Sequence, residues 1–406
     1  MNRHIFTGFG FGPIQAGLFV AEAFKSKNFN RIVIAEIDQK LVDAVRANGG
    51  TYYVNIAGFD GIRTTEIKGV EIYNPSNSEE RLHIVDALSA STEIVTSLPS
   101  VKFYNAGENS VAQLITAGIN RNGDEPAIIY TAENNNNAAE LLSETVKSRL
   151  KKHLPDNVQF LNTVIGKMSQ IVTDKDEIIQ KKLTPIAPGI DRAFLVEEFN
   201  KILVTKCHIL DFKPGIEVFI EKEDLLPFEE AKLYGHNAIH AILAYLGACK
   251  GYKKMAELKD DKEIMQIARD AFINESGATL VKKYAHRNEE LFTERGYKAY
   301  AEDLLERMTN PYLDDTIERA ARDPERKLAL NDRIFGTMRL VLEQGIEPIN
   351  MAKGAAAGVM YLAKHEKING QKELKTILSW LLHDDNYRFK SEIFRTVEKE
   401  LACLVN

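Results

Sequence analysis

Hydrophobic and polar positions follow two different rhythms along this chain, and the change of rhythm divides it. In the first part, short apolar runs alternate with helical patterns. His4 to Gly8 predicts a strand, Ile14 to Phe24 a helix, Arg31-Ile-Val-Ile-Ala-Glu36 a second strand and Gln39 to Ala47 a second helix. Further strands are predicted at Glu93 to Thr96 and Ala127 to Thr131, with helices from Ser110 to Ala117 and Ala138 to Leu150. Such alternation implies an α/β fold with a parallel, doubly wound sheet. From about Phe228 the pattern is almost wholly helical, with stretches at Lys259 to Tyr284, Tyr297 to Met308, Lys372 to Leu382 and the C-terminus. The segment from Gly166 to Gly189 is polar and predicts no element. Phe199 to Phe219 mixes β-like runs with Pro214 and Gly215. The rhythm places a boundary near Val196, leaving domains of residues 1–196 and 197–406.

Composition narrows the picture. The chain has 406 residues, 44 % hydrophobic and 27 % charged, enough for two substantial cores. A net charge of −6 without a basic run argues against a nucleic-acid partner. No apolar stretch approaches a membrane span, and a strand predicted from the first residues leaves no room for a signal peptide. Cys207, Cys249 and Cys403 are scattered, with no C-x-x-C pair, as expected of a cytoplasmic protein without disulfides or structural zinc. Asn134-Asn-Asn-Asn137 is too short to be a disordered tract.

Two clusters carry candidate chemistry. The first strand runs into Gly8-Phe-Gly10-Phe11-Gly12-Pro13-Ile14-Gln15-Ala-Gly17. A glycine turn between strand and helix lets backbone approach a pyrophosphate, which the helix N-terminus then stabilises. Gly10 and Gly12 read as the first two glycines of G-x-G-x-x-G, with Gln15 in the third place. Glu36 closes the second strand where an acidic residue binds ribose hydroxyls; it would repel a 2′-phosphate, so NAD is expected over NADP. Asp38 is the rival for the ribose, and a purely structural glycine turn is the bland alternative. The order strand, turn, helix, acidic residue makes the first domain a Rossmann-type nucleotide-binding domain.

The second cluster is Lys232-Leu-Tyr-Gly-His236-Asn237-Ala-Ile-His240, spaced K-x4-N-x2-H. On an α-helix, Lys232, Asn237 and His240 fall at roughly 0°, 140° and 80° and share one side, with His236 among them. The segment continues into the apolar run Ala241 to Gly247. Burial lowers a lysine's pKa, and a lysine so tuned can take a proton near neutral pH. By spacing alone, an ordinary surface helix with a solvated Lys232 is the better reading. Other dehydrogenase chemistries lack their residues: the cysteines do not cluster for zinc, and no Tyr-x3-Lys occurs. No metal ligand set is expected.

With these residues together, the chain resembles the polyol-specific long-chain dehydrogenases, the mannitol dehydrogenase family, and within it the mannitol-1-phosphate 5-dehydrogenase branch. Lys232, Asn237 and His240 match the family's K-x4-N-x2-H. Gly10 to Gly17, Ile34 to Asp38 and Thr131-Ala-Glu-Asn134 are similar to its glycine turn, ribose-binding edge and strand-end pair. Arg307-Met-Thr-Asn310-Pro311, Arg319-Ala-Ala-Arg322 and Arg326-Lys327-Leu328 with Asp332-Arg333 are similar to its R-F-x-N-P, R-x-x-R and R-K-L-x-x-x-D-R stretches. The likeness spans most of the chain in the same order.

The resemblance implies an NAD-dependent, metal-independent oxidoreductase interconverting D-mannitol 1-phosphate and D-fructose 6-phosphate in the cytoplasm, as a monomer or dimer. Lys232 would be the base, Asn134 and Asn237 amide donors to the reacting oxygen, and His240 a polyol-binding group. Gly10, Phe11, Gly12, Pro13, Ile14, Gln15 and Glu36 would bind the cofactor. Arg322, Arg326 and Lys327 are candidates for the phosphate; interdomain ion pairing explains them equally well. Tyr300 and His286 read as packing residues. The chain departs from the pattern at Gly166-Lys167-Met168, where the family carries Asp-Arg, and from Ser169 to Gly189. A hexuronate reductase of the same superfamily and an inactive NAD-sensing protein are the rival readings.

Overall fold

A computed structural model of the chain describes residues 4–123, 125–150, 153–365, 371–384 and 387–405. The chain forms two compact units, Met1–Leu226 and Pro227–Asn406.

The described strands of the first unit make two sheets. The larger has the order β12-β11-β8-β7-β6-β1-β2-β5, from β1 (His4–Phe9), β2 (Phe29–Ala35), β5 (Val70–Tyr73), β6 (Glu93–Thr96), β7 (Ala127–Thr131), β8 (Val158–Ile165), β11 (Ile202–Thr205) and β12 (Phe219–Lys222). Pairs from β5 across to β8 are parallel; β11 runs antiparallel to β8, and β12 is parallel to β11. This is the doubly wound arrangement expected from the alternating runs. The strands bury both faces, as parallel sheets do. Phe6, Ile34, Val95 and Tyr130 enter one core; Phe9, Ala35, Ile94 and Ile129 enter the other. The second core is closed by α3 (Ser78–Ala90), α4 (Val111–Arg121) and α5 (Ala138–Arg149). The first receives α1 (Ala21–Ser26), the π-helical turn Gln15–Val20 before it, and α2 (Gln39–Ala47).

The smaller sheet, β4-β3-β10-β9, lies in stretches where the polar pattern predicts little. It joins the hairpin β3 (Tyr52–Ala57) and β4 (Ile62–Ile67) to β10 (Ala193–Glu197) and β9 (Ser169–Val172). The divergent segment from Ser169 therefore has a place: it supplies β9 and the short helix α6 (Lys175–Gln180). The expected boundary at Val196 differs from the division after Leu226. The reason is physical, since β11 and β12 follow Val196 and complete the larger sheet.

Glu93, the first residue of β6, is fully buried and accepts the Gly215 N–H at 2.6 Å. It pins the Pro214-Gly215 segment, and burial pushes its pKa up to about 8.

Among its described residues the second unit is built of helices joined by loops. α7 (Leu226–Glu230) continues through π-helical residues Ala231–Asn237 into α8 (Ala238–Cys249). α9 (Lys262–Asp270) continues through a second π-helical stretch, Ala271–Gly277, into α10 (Ala278–Tyr284). Then come α11 (Glu294–Met308), α12 (Ile317–Ala321), α13 (Pro324–Leu328), α14 (Phe335–Glu343), α15 (Ile349–His365), α16 (Gln371–Leu381) and α17 (Lys390–Val405). The long helix expected from Lys259 to Tyr284 starts at Lys262, because Asp261 caps α9, accepting the Ile264 N–H, and it runs on to Tyr284. α8 is buried on every side, from Ala241 through Gly247, as a central helix must be. α15 approaches it closely: a Cβ at Gly354 would lie 2.4 Å from Ile242, so only glycine fits there.

Candidate active site

In the first unit the glycine turn leaves β1 beside the point where strand order reverses, between β1 and β6. Open α/β sheets bind ligands at such crevices. Gly10 has φ +82°, and a Cβ there would lie 2.8 Å from the Ser97 carbonyl oxygen. A Cβ at Gly12 would meet nothing, so the protein leaves that backbone approachable. Pro13 and Ile14 are half-buried at the helix start. Phe11 turns inward, its ring edge-on to Tyr52 at 4.8 Å.

Gln15 is fully buried as well. It occupies a notch left by Gly8, where a Cβ would sit 1.8 Å from Gln15 Nε2. The departure from the third glycine thus has a steric answer: the strand, not the helix, supplies the glycine. Gly17 provides the close packing, since a Cβ there would approach Val196 to 2.7 Å. The side chains of Phe11 and Gln15 therefore face the core.

Glu36 and Asp38 behave differently. Glu36 accepts the Phe11 N–H at 2.7 Å and the Asp38 N–H at 2.8 Å, tying the end of β2 to the glycine turn. Asp38 caps α2 and pairs with Arg192. The carboxylate beside the turn is Glu36.

Asn134 is exposed just past β7. Its neighbour Glu133, the other member of the strand-end pair, is buried. Glu133 accepts Thr96 Oγ1 at 2.9 Å, the Leu98 N–H at 2.9 Å and the Tyr104 hydroxyl. It holds the loop after β6 against the end of β7. Where the family pattern has Asp-Arg, Lys167 donates to the carbonyls of Glu197 at 2.5 Å and Phe199 at 2.6 Å.

In the second unit, Lys232 and Asn237 lie in the π-helical stretch and His240 in the first turn of α8. All three are half-buried, while His236 is buried. The wider π turn is maintained by tertiary contacts. The Tyr234 carbonyl accepts Ser276 Oγ at 2.9 Å and Thr337 Oγ1 at 3.3 Å. Gly235 lets Tyr297 and Phe272 pack against it, since a Cβ would lie 2.7 Å from the Tyr297 hydroxyl. π turns inside helices often mark functional positions.

Burial first, and the charge of Arg333 second, bring the Lys232 pKa from 10.5 down to about 8; Glu229 opposes them. Burial first, then electrostatic repulsion from the His240 ring and from Arg307, Lys232 and Arg333, lowers the His236 pKa well below 6.5. His240 Nε2 lies 2.8 Å from Asp315 Oδ2, a partner the sequence reading missed. The adjacent acids Asp314-Asp315 after the N-P motif were the available signal.

The phosphate candidates separate. Arg322 and Arg326 are largely exposed and line a cavity of about 940 Å³ with Arg319, Tyr361 and His365. Lys327 does not line it. Lys327 is buried, donates to the Ala320 carbonyl at 2.5 Å, and is brought to a pKa of about 7 by burial and neighbouring arginines. Tyr300 packs edge-on against Phe272 and Tyr297, as expected. Among the described residues no group of three or more His, Cys, Asp or Glu is arranged to hold a metal, and no helix is long and apolar enough to cross a membrane.

Residues 224–399 match the family model of the mannitol dehydrogenase C-terminal domain. A mannitol-1-phosphate 5-dehydrogenase of Buchnera aphidicola subsp. Acyrthosiphon pisum is 30 % identical over 365 residues, covering 88 % of this chain and 86 % of that one. The chain belongs to the mannitol dehydrogenase family. Membership makes it an oxidoreductase of the polyol dehydrogenase type. Solved structures agree in fold. A substrate-free D-sorbitol dehydrogenase superposes with a TM-score of 0.76 at 14 % identity, covering 100 % of this chain and 95 % of that one. The Pseudomonas fluorescens mannitol 2-dehydrogenase, in a ternary complex with NAD and D-mannitol, gives 0.70 at 16 % identity, covering 99 % and 92 %.

Proposed function

We propose that this family member is an NAD-dependent, metal-independent dehydrogenase interconverting D-mannitol 1-phosphate and D-fructose 6-phosphate. The observation that carries the reading is Lys232, whose pKa of about 8 suits proton transfer near neutral pH, on one helix with Asn237 and His240. In oxidation, neutral Lys232 Nζ accepts the proton of the reacting hydroxyl. Asn237 donates an amide hydrogen bond to the oxygen as charge develops on it, the part that the family resemblance also gives to Asn134. His240 binds and orients the polyol. In reduction, protonated Lys232 returns the proton. Bound NAD supplies the hydride acceptor.

The glycine turn fits that cofactor. Gly10 is required by its φ and by Ser97, the backbone at Gly12 is approachable, and Glu36 stands beside the turn. The carboxylate of Glu36 disfavours a 2′-phosphate, which supports NAD over NADP. For the substrate phosphate, the exposed guanidinium groups of Arg322 and Arg326 are the better anchors, because the Lys327 ammonium is turned inward to Ala320.

NADH oxidation with fructose 6-phosphate, fructose, tagaturonate and fructuronate side by side tests the reading. Fructose 6-phosphate should be reduced far better than fructose. Arg326→Ala should weaken its use on the order of tenfold or more, the worth of one charge-assisted hydrogen bond, and affect fructose much less. Preference for a hexuronate would transfer the site to the hexuronate reductases. Cofactor binding without turnover on any of the four would make the protein a sensor.

A further inference from the structure

Asp315, a buried carboxylate of the helical unit, has no role in the proposed function. Asp315 is 2 % exposed. Its segment is tied down at two points: the Met255 N–H donates to the Asp315 carbonyl at 2.8 Å, and the Ile317 N–H, two residues on, donates to the Lys253 carbonyl at 2.9 Å. Lys254 pairs with the preceding Asp314 at 2.9 Å, a residue held at φ +53°. The carboxylate itself is shared. Oδ2 faces His240 Nε2 at 2.8 Å, and Oδ1 accepts Arg319 Nε at 2.7 Å.

Burial opposes ionisation of Asp315, but the hydrogen bonds and charges of His240 and Arg319 override it and hold the carboxyl well below the usual range. An ionised carboxylate can only accept, so Nε2 of His240 must be the donor. In the neutral ring Nδ1 then carries the lone pair. Among the described residues, His240 makes no hydrogen bond besides the one to Asp315.

We propose that Asp315 is a positioning residue that locks His240 in its Nε2–H tautomer, so that Nδ1 is the acceptor offered to a hydroxyl of the polyol. The inference rests on the proposed role of His240 and specifies how the ring performs it. Arg319 keeps the carboxylate from turning away, because the same acid cannot swing toward solvent without breaking both contacts. An asparagine at 315 would have nearly the same shape but could present its NH₂ to Nε2. That would favour the opposite tautomer, the fault that an Asp-to-Asn change produces in the serine-protease triad.

Nitrogen-15 NMR of the imidazoles in the free protein at pH 8 tests this without reference to turnover, the His240 signals being assigned by their loss in His240→Ala. The expected wild-type result is a protonated Nε2 and a bare Nδ1. In Asp315→Asn the proton should move to Nδ1, and kcat/KM for mannitol 1-phosphate should fall at least tenfold. The double variant Asp315→Asn/His240→Ala should be no worse than His240→Ala alone, because the two act as one unit.

A wild-type His240 protonated on Nδ1 would overturn the proposal, and it decides the matter even if Asp315→Asn does not fold. An unchanged tautomer in Asp315→Asn, or losses that multiply in the double variant, would reduce Asp315 to a structural residue. Near wild-type activity of His240→Ala would also overturn the acceptor role. That failure would lie in the functional reading of His240, and the tautomer measurement would tell it apart from a failure at Asp315.

Discussion

Each unit of this protein contains a π-helical stretch at its candidate functional residues, and the two are built differently. In the first unit, Gln15–Val20 follows the glycine turn, and the Ala16 carbonyl accepts the Tyr52 hydroxyl at 2.7 Å. In the second, Ala231–Asn237 carries Lys232, and the Tyr234 carbonyl accepts Ser276 and Thr337. Both widen the helix and divert a carbonyl to side-chain hydroxyls. The first does so to seat backbone: Phe11 and Gln15 point inward and the backbone at Gly12 is left approachable. The second does so to seat side chains, with Lys232, Asn237 and His240 kept half-buried. A site that grips a phosphate chain through N–H groups needs glycine and a fixed turn. A site that moves a proton needs a lysine in surroundings that lower its pKa.

That contrast is sharpest at Lys232. Lys232→Ala should lower turnover by roughly 10²–10⁴-fold, the usual contribution of a positioned base, while NADH binding measured by fluorescence stays near wild type. The sign with pH follows from the pKa of about 8. Oxidation needs the neutral amine, so its rate should rise with pH through about 8 and level off. Reduction needs the ammonium and should fall over the same interval. Turnover that survives the substitution would leave the π stretch of the second unit without a chemical purpose.

A second test concerns stability and touches only the first unit. Glu93 titrates at about 8 when folded and near 4.5 when unfolded. Below 4.5 both states hold the proton and its contribution to stability is complete. As pH rises toward 8, only the unfolded state releases the proton, so that contribution is lost, by at most a few kcal/mol. Glu93→Gln cannot titrate. Urea midpoints at pH 5 and pH 8 should therefore differ less in the variant than in the wild type, and an equal difference would refute the raised pKa.

Glu36→Ala should bring kcat/KM with NADPH closer to that with NADH by on the order of tenfold, the worth of one removed charge repulsion. An unchanged cofactor ratio would give the ribose to another residue. The smallest effects are expected at the diverted carbonyls. Tyr52→Phe and Ser276→Ala should each cost about 1 kcal/mol in denaturant unfolding, the net worth of one hydrogen bond. If function depends on both π turns, Tyr52→Phe should raise KM for NADH and Ser276→Ala should lower kcat.

Much of this architecture is legible in the residues. The runs at Glu93–Thr96 and Ala127–Thr131 became β6 and β7 with the same bounds, because parallel strands buried on both faces read as near-continuous apolar runs. The spacing of Lys232, Asn237 and His240 identified the helix that carries them. Its π geometry was not legible, because the shift of register is imposed by Ser276, Thr337 and Tyr297, distant in sequence. The smaller sheet was hidden for a similar reason. β3 and β10 pair Val54 with Phe194, and no local pattern announces a partner so remote. The roles of Asp315 and Glu133 were not legible, because a carboxylate's role depends on what it accepts from, not on its neighbours along the chain.

The course of the chain after Val196 bears on how this protein can be divided. A fragment ending there would lack β11 and β12 and would expose the long edge of β8, with Val164 and Ile165 no longer covered. Bare edges of that kind pair with other chains. Genetic fusions and split reporters built on this family member would therefore be cut after Leu226, where the sheet is finished, and a cut at Val196 would yield aggregates.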